Sequence, residues 1–142
     1  MNPSDRTITA FLNFDGRCEE ALAFYTTALG ATVDVLMRYR DAPESEAGPM
    51  GDPEKIMHCS FRIGATTVMA SDCQCAGAPA FAGISLALDV ADEADAARCF
   101  TALGAGGVVH MPLGKTFWSS AFGVVSDRFG VCWMINARAN HF

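Results

Sequence analysis

Residues 11–31 read FLNFDGRCEEALAFYTTALGA, and after a second helix-patterned run the chain returns to ALGA at residues 102–105. The first stretch divides at Asp15-Gly16. Thr7 to Phe14 (TITAFLNF) is rich in β-branched and aromatic residues, so it predicts a strand closed by a turn. Arg17 to Leu29 carries Ala21, Leu22, Phe24, Tyr25, Ala28 and Leu29 at the spacing of one helical face. Glu19 and Glu20 favour its first turn, and Gly30 follows as a C-terminal cap.

Working outward, Ala31 to Arg40 predicts another strand, and Lys55 to Ile63 with Ala65 to Asp72 a hairpin turning near Gly64. Between them Asp41 to Glu54 (DAPESEAGPMGDPE) holds three prolines, two glycines and five acidic residues, the composition of a mobile acidic loop. The second half repeats the plan. Ala82 to Val90 predicts a strand, Asp92 to Leu103 an amphipathic helix capped by Gly104, and Val108 to Pro112 extended chain. Phe122 to Asp127 and Val131 to Ala137 predict a hairpin turning at Arg128-Phe129-Gly130. Ala28-Leu29-Gly30-Ala31 recurs as Ala102-Leu103-Gly104-Ala105, an offset of 74, and Arg62-Ile63-Gly64 recurs as Arg128-Phe129-Gly130, an offset of 66. The eight-residue difference is what the acidic loop supplies. The expectation is an α+β fold of two βαβββ modules, about 6–72 and 82–137, in a single domain.

The chain has 142 residues, 51% hydrophobic and 18% charged, with a net charge of −6. Phosphate recognition draws its affinity from a surplus of Lys and Arg, so a nucleic-acid partner is not expected, nor is a polybasic membrane contact. No apolar run approaches the roughly 20 residues needed to span a bilayer, and a cytoplasmic location is expected. Six cysteines are read as reduced thiols: Cys73-Gln-Cys75 has no second pair for a zinc site, and Cys59, Cys99 and Cys132 sit in apolar segments.

The strand-turn-helix of residues 11–30 resembles the opening of the vicinal-oxygen-chelate superfamily, which includes glyoxalase I, bleomycin-resistance proteins and extradiol dioxygenases. Ile56-Met57-His58, Val68 to Asp72, Lys115 to Trp118 and Ser126 to Ile135 are similar to its PhnB-like branch. The resemblance implies sheets curled around a cavity with helices outside, and a homodimer. In metal-dependent relatives four inward positions carry His or Glu. Carried onto this chain they fall on Thr9, Val68, near Gly83 and on Met134, none of which is a strong ligand for a divalent cation. No metal is therefore expected.

Strand alternation extends that inward register from Thr9 to Phe11 and Asn13, from Val68 to Thr66, Ala70 and Asp72, and from Met134 to Cys132 and Asn136. In the third strand Met57, Cys59, Phe61 and Ile63 are assigned to the helix side, which leaves His58 and Ser60 inward with Ser85. A small-molecule cavity is expected, lined by Thr9, Asn13, Ser60, Asp72, Ser85, Cys132, Met134 and Asn136, with Trp118 at its mouth or at the dimer seam. His58 is a candidate catalytic base of an isomerase or lyase, or else a structural histidine. Asp72 would assist it or cap a turn. His110, at an irregular strand end, and His141, in the tail, are weaker ligand candidates. Relatives of the branch carry a demethylubiquinone methyltransferase label. Gly104-Ala105-Gly106-Gly107 follows a helix and precedes a strand, the reverse of a nucleotide or S-adenosylmethionine loop, so no such cofactor is expected.

Overall fold

The computed structural model describes residues 2–43, 52–73 and 79–137. The chain forms two compact units, residues 1–79 and 80–142. In unit 1 the order is β1 (Phe11–Asn13), α1 (Cys18–Leu29), β2 (Thr32–Arg38), β3 (Ile56–Ile63) and β4 (Thr66–Ser71). In unit 2 it is β5 (Ser85–Val90), α2 (Glu93–Gly104), β6 (Val108–Gly114), β7 (Phe122–Ser126) and β8 (Cys132–Ala137). The sheets run β1-β4-β3-β2 and β5-β8-β7-β6, with β1 parallel to β4 and β5 parallel to β8. Both modules therefore share the βαβββ topology, and neither sheet closes into a barrel. Of the acidic loop 41–54, residues 44–51 lie outside the described residues, as do Cys75 and His141.

Each sheet buries one face under its own helix. In unit 1 Leu12, Phe14, Cys59, Phe61, Val68 and Ala70 meet Cys18, Ala21, Leu22 and Tyr25 of α1, and all ten are buried. Tyr25 stacks on Phe61 with centroids 6.0 Å apart and planes 15° from parallel. Each such large side chain contributes roughly 1.5–3 kcal/mol by leaving water. Gly30 ends α1 in the left-handed conformation, φ 67°, which any side chain would strain. In unit 2 Val125, Trp133, Ile135 and Ala137 pack against Ala96, Cys99 and Leu103 of α2.

Several boundaries differ from the sequence expectation. The first strand shrinks to three residues: its pairing to β4 fades at the bond from Met69 N to Ala10 O, and Ile8 is fully exposed. Thr9 is half-buried and lies outside the strand. Gly104 belongs to α2, and the helix ends at Ala105 with φ −64°. A register shift between Met37 and Arg38 makes room for one extra residue, Met57, on β3. That bulge turns Ile56, fully buried, to the helix side in place of Met57.

Candidate functional site

The face of each sheet away from its helix carries the polar groups. In unit 1, Phe11 pairs with Met69 and Met69 with Ser60 across β1, β4 and β3, so the three share the open face. His58 joins them, stacked on Phe11 with centroids 6.0 Å apart, and pairs with Met37 on β2. Asn13 lies on the same face, its Oδ1 3.3 Å from Cys73 Sγ. Cys73 is disulfide-bonded, contrary to the expectation of reduced thiols throughout.

Two expectations for unit 1 fail. Val68 pairs with Phe61, and Ala70 with Cys59, which puts both against α1 and not in a cavity. The cause is loop length. Ile63 pairs with Thr66, so Gly64 is the first residue of a two-residue turn; Asp127 N bonds Val131 O, so Gly130 is the last residue of a three-residue loop. Counting four residues from each glycine thus lands on opposite faces. Asp72 also leaves the cavity. Its Oδ1 accepts from Gly16 N at 2.7 Å and Cys18 N at 2.8 Å, and its Oδ2 accepts from Ile56 N at 2.9 Å. It caps α1, whose own N-cap residue Arg17 supplies no side-chain bond, and it does not orient His58.

Beside this cap the sulfurs of Cys18 and Cys59 lie 3.7 Å apart, both fully buried. Sharing a proton with Cys59, together with burial and the Asp72 charge, pushes the Cys18 thiol well above the ordinary thiol range. It is a packed core group and not a nucleophile.

Unit 2 brings its expected residues together. Across the open face run three rows of register partners: Ser85, Cys132 and Ser126; Ala87, Met134 and Val124; Asp89, Asn136 and Phe122. Two more residues complete the first row: Ser126, which the sequence did not single out for the site, and His110, which it ranked as a weaker ligand candidate. His110 occupies a bulge in β6, between Val109 and Met111, and its Nε2 lies 2.7 Å from Ser126 Oγ. Ser126 was readable in principle by extending the alternation of Cys132 across a three-residue loop; the bulge that turns His110 was not. An open groove of about 410 Å³ lies at this end, with Phe81, Ile84, Ser85, His110, Ser126 and Cys132 among its lining residues.

At the opposite end Trp118 sits edge-on to Phe122, centroids 5.3 Å apart, while Asn136 Nδ2 donates to Asp89 Oδ1 at 3.1 Å. Asp127 faces the other way: it accepts from Phe129 N, Val131 N and Trp133 Nε1 and so fixes the hairpin loop. Among the described residues no three His, Cys, Asp or Glu side chains gather as a metal site. Of the four superfamily ligand positions, Met134 alone lies on an open strand face, and a thioether is a poor partner for a hard cation.

The model of the family described as 3-demethylubiquinone-9 3-methyltransferase matches residues 6–136. The chain belongs to this PhnB-like family. Protein YjdN of Escherichia coli K12 is 34% identical to it over 137 residues, 91% of this chain and 93% of that protein. Among solved structures, protein PA1353 of Pseudomonas aeruginosa is 41% identical with a TM-score of 0.78, covering 93% of this chain and 97% of that one. The Bacillus cereus PhnB protein, a putative 3-demethylubiquinone-9 3-methyltransferase, is 27% identical with a TM-score of 0.76, covering 93% and 99%. A glyoxalase-related enzyme from Fulvimarina pelagi, 18% identical, shares the fold with a TM-score of 0.60 over 93% and 87%. That likeness is one of fold, the paired βαβββ architecture. The family's methyltransferase label finds no match in the placement of Gly104 to Gly107, which lie at the C-terminal end of α2 and before β6.

Proposed function

We propose that this PhnB-like protein binds a small organic molecule against the open face of unit 2, without a bound metal ion, as a homodimer in the cytoplasm. The observation that carries this reading is the open groove of about 410 Å³, in which Phe81 and Ile84 supply apolar wall and Ser85, Ser126, Cys132 and His110 supply a few polar groups. That is the size and composition of a small-ligand site. Hydroxyls, one thiol and one imidazole favour hydrogen bonding to an organic ligand over chelation of a cation. His58 has less support as a catalytic base, since Asp72 is committed to backbone amides and leaves its imidazole without that partner. The homodimer is supported by two edge strands with exposed apolar residues. Val33, Val35, Leu36 and Met37 lie on β2, and Val108, Val109 and Met111 on β6. Among the described residues Cys18, Cys59, Cys99 and Cys132 are free, which favours a reducing compartment, while the disulfide at Cys73 runs against it.

A thermal-shift screen of fragment-sized organic molecules tests the site. Hits are expected to stabilise the wild-type protein by mass action and to lose that effect in Ile84→Trp, where an indole fills the groove. Hits that stabilise both proteins equally would overturn the assignment. Elemental analysis of protein purified without chelator is expected to find no stoichiometric zinc, nickel, manganese or iron, and finding one would refute the metal-free reading.

A further inference from the structure

We infer that the far end of the same open face selects an organic cation: Asp89, Asn136, Phe122 and Trp118 form a subsite for an ammonium-bearing ligand whose apolar body lies along the strands. The inference rests on the reading of unit 2 as the ligand site, and it assigns the chemistry of one end of the ligand. Asp89, Asn136 and Phe122 are direct register partners on β5, β8 and β7, so their side chains stand side by side on one face. The Asn136 amide donates one of its two N–H groups to Asp89 Oδ1 at 3.1 Å, which fixes the carboxylate. Acceptors stand open beside that bond. Asn136 Oδ1 is shut from solvent without a hydrogen-bond partner, one of two such side-chain atoms among the described residues, and none of the ion pairs found among those residues engages Asp89.

A row with a carboxylate outside every ion pair found among the described residues and a carbonyl without a donor is complementary to a cationic group that donates. The aromatic pair strengthens the same preference. Trp118 and Phe122 meet edge to face at 5.3 Å, and the electron-rich face of either ring attracts a positive charge within about 6 Å. The net charge of −6 adds long-range attraction of the same sign.

The rest of the face sets the ligand's shape. Ala87, Met134 and Val124 form an apolar middle row, and Ser85, Cys132 and Ser126 a neutral polar row beyond it. Two residues of strand rise about 6.7 Å, so the charged row and the neutral row stand roughly 13 Å apart. The matching ligand class is a primary or substituted amine carrying an apolar body of several carbons.

Three isosteric probes separate the possibilities: 3-phenylpropylamine, 3-phenylpropanol and 3-phenylpropionate, titrated calorimetrically and followed by amide shifts of Ala87, Val124 and Met134. The amine is expected to bind best and the carboxylate worst, with an amine advantage over the alcohol of about tenfold at low salt that shrinks as salt is added. Asp89→Asn is expected to erase that advantage while leaving alcohol binding unchanged, and Phe122→Leu to weaken the amine more than the alcohol. Equal binding of amine and alcohol, or an advantage that survives Asp89→Asn, overturns the cation assignment and leaves the groove reading intact. Shifts confined to residues away from β5, β7 and β8 for all three probes would overturn both.

Discussion

Asp72 joins three segments that are far apart in the chain: the turn at Gly16, the first residue of α1 at Cys18, and the start of β3 at Ile56. From sequence its position next to a cysteine loop suggested a turn cap or a cavity group. Neither reading could see the partners, because the amides it binds come from 16 to 56 residues away. Asp72→Asn keeps the size of the side chain but replaces one acceptor with a donor aimed at a backbone N–H. That loss is expected to cost about 1–3 kcal/mol. A urea titration would show it as a lower midpoint with an unchanged slope, and an unchanged midpoint would mean that the three bonds contribute nothing. Cys18 beside it is a similar case: its apolar role was legible in part for Cys59, whereas the contact between the two sulfurs was not.

At the scale of elements, both helices and both hairpins were legible because their periodicities differ so plainly, 3.6 residues against two. What was not legible was where two segments touch. After α2 the chain turns down past the β7–β8 hairpin, and a Cβ added to Gly107 would stand 2.0 Å from the Ser126 carbonyl oxygen. Arg128 closes the same corner by donating to Ala105 O through Nε at 3.2 Å and Nη2 at 3.0 Å, a basic group at a helix C-terminus. Its sequence counterpart Arg62 instead pairs with Asp34 on β2. Gly107→Ala is therefore expected to destabilise unit 2 by about 3 kcal/mol or more, whereas Gly114→Ala, with open space around the new carbon, should change stability by about 0.5 kcal/mol or less. Paired thermal melts would check this, and equal melting temperatures for the two variants would contradict the close crossing.

For the whole molecule, the internal repeat revealed the architecture, since two matches in the same order with one consistent insertion required two copies of one supersecondary unit. The site was only half visible. Ser85, Cys132, Met134 and Asn136 could be placed by alternation along β5 and β8, while His110, Phe122 and Asp89 needed the pairing register that brings β6, β7 and β5 beside them. The assembly prediction belongs at this scale. If the apolar edges β2 and β6 are covered by a second copy, sedimentation equilibrium at micromolar concentration should return twice the chain mass of 15.1 kDa. A value of one chain mass at all concentrations would remove the homodimer.

The unequal hairpin loops carry a consequence for how the two halves diverged. Two residues connect β3 to β4, whereas Ser126 and Cys132 bracket the longer β7–β8 connection. The extra residue is absorbed by the loop itself: Val68 pairs with Phe61 and Trp133 with Val125, so each following strand keeps the same face on its helix although its distance in sequence from the turn glycine differs by one. An indel there changes spacing without changing either face, and any comparison of the two halves has to shift by one residue at the hairpin before positions are called equivalent.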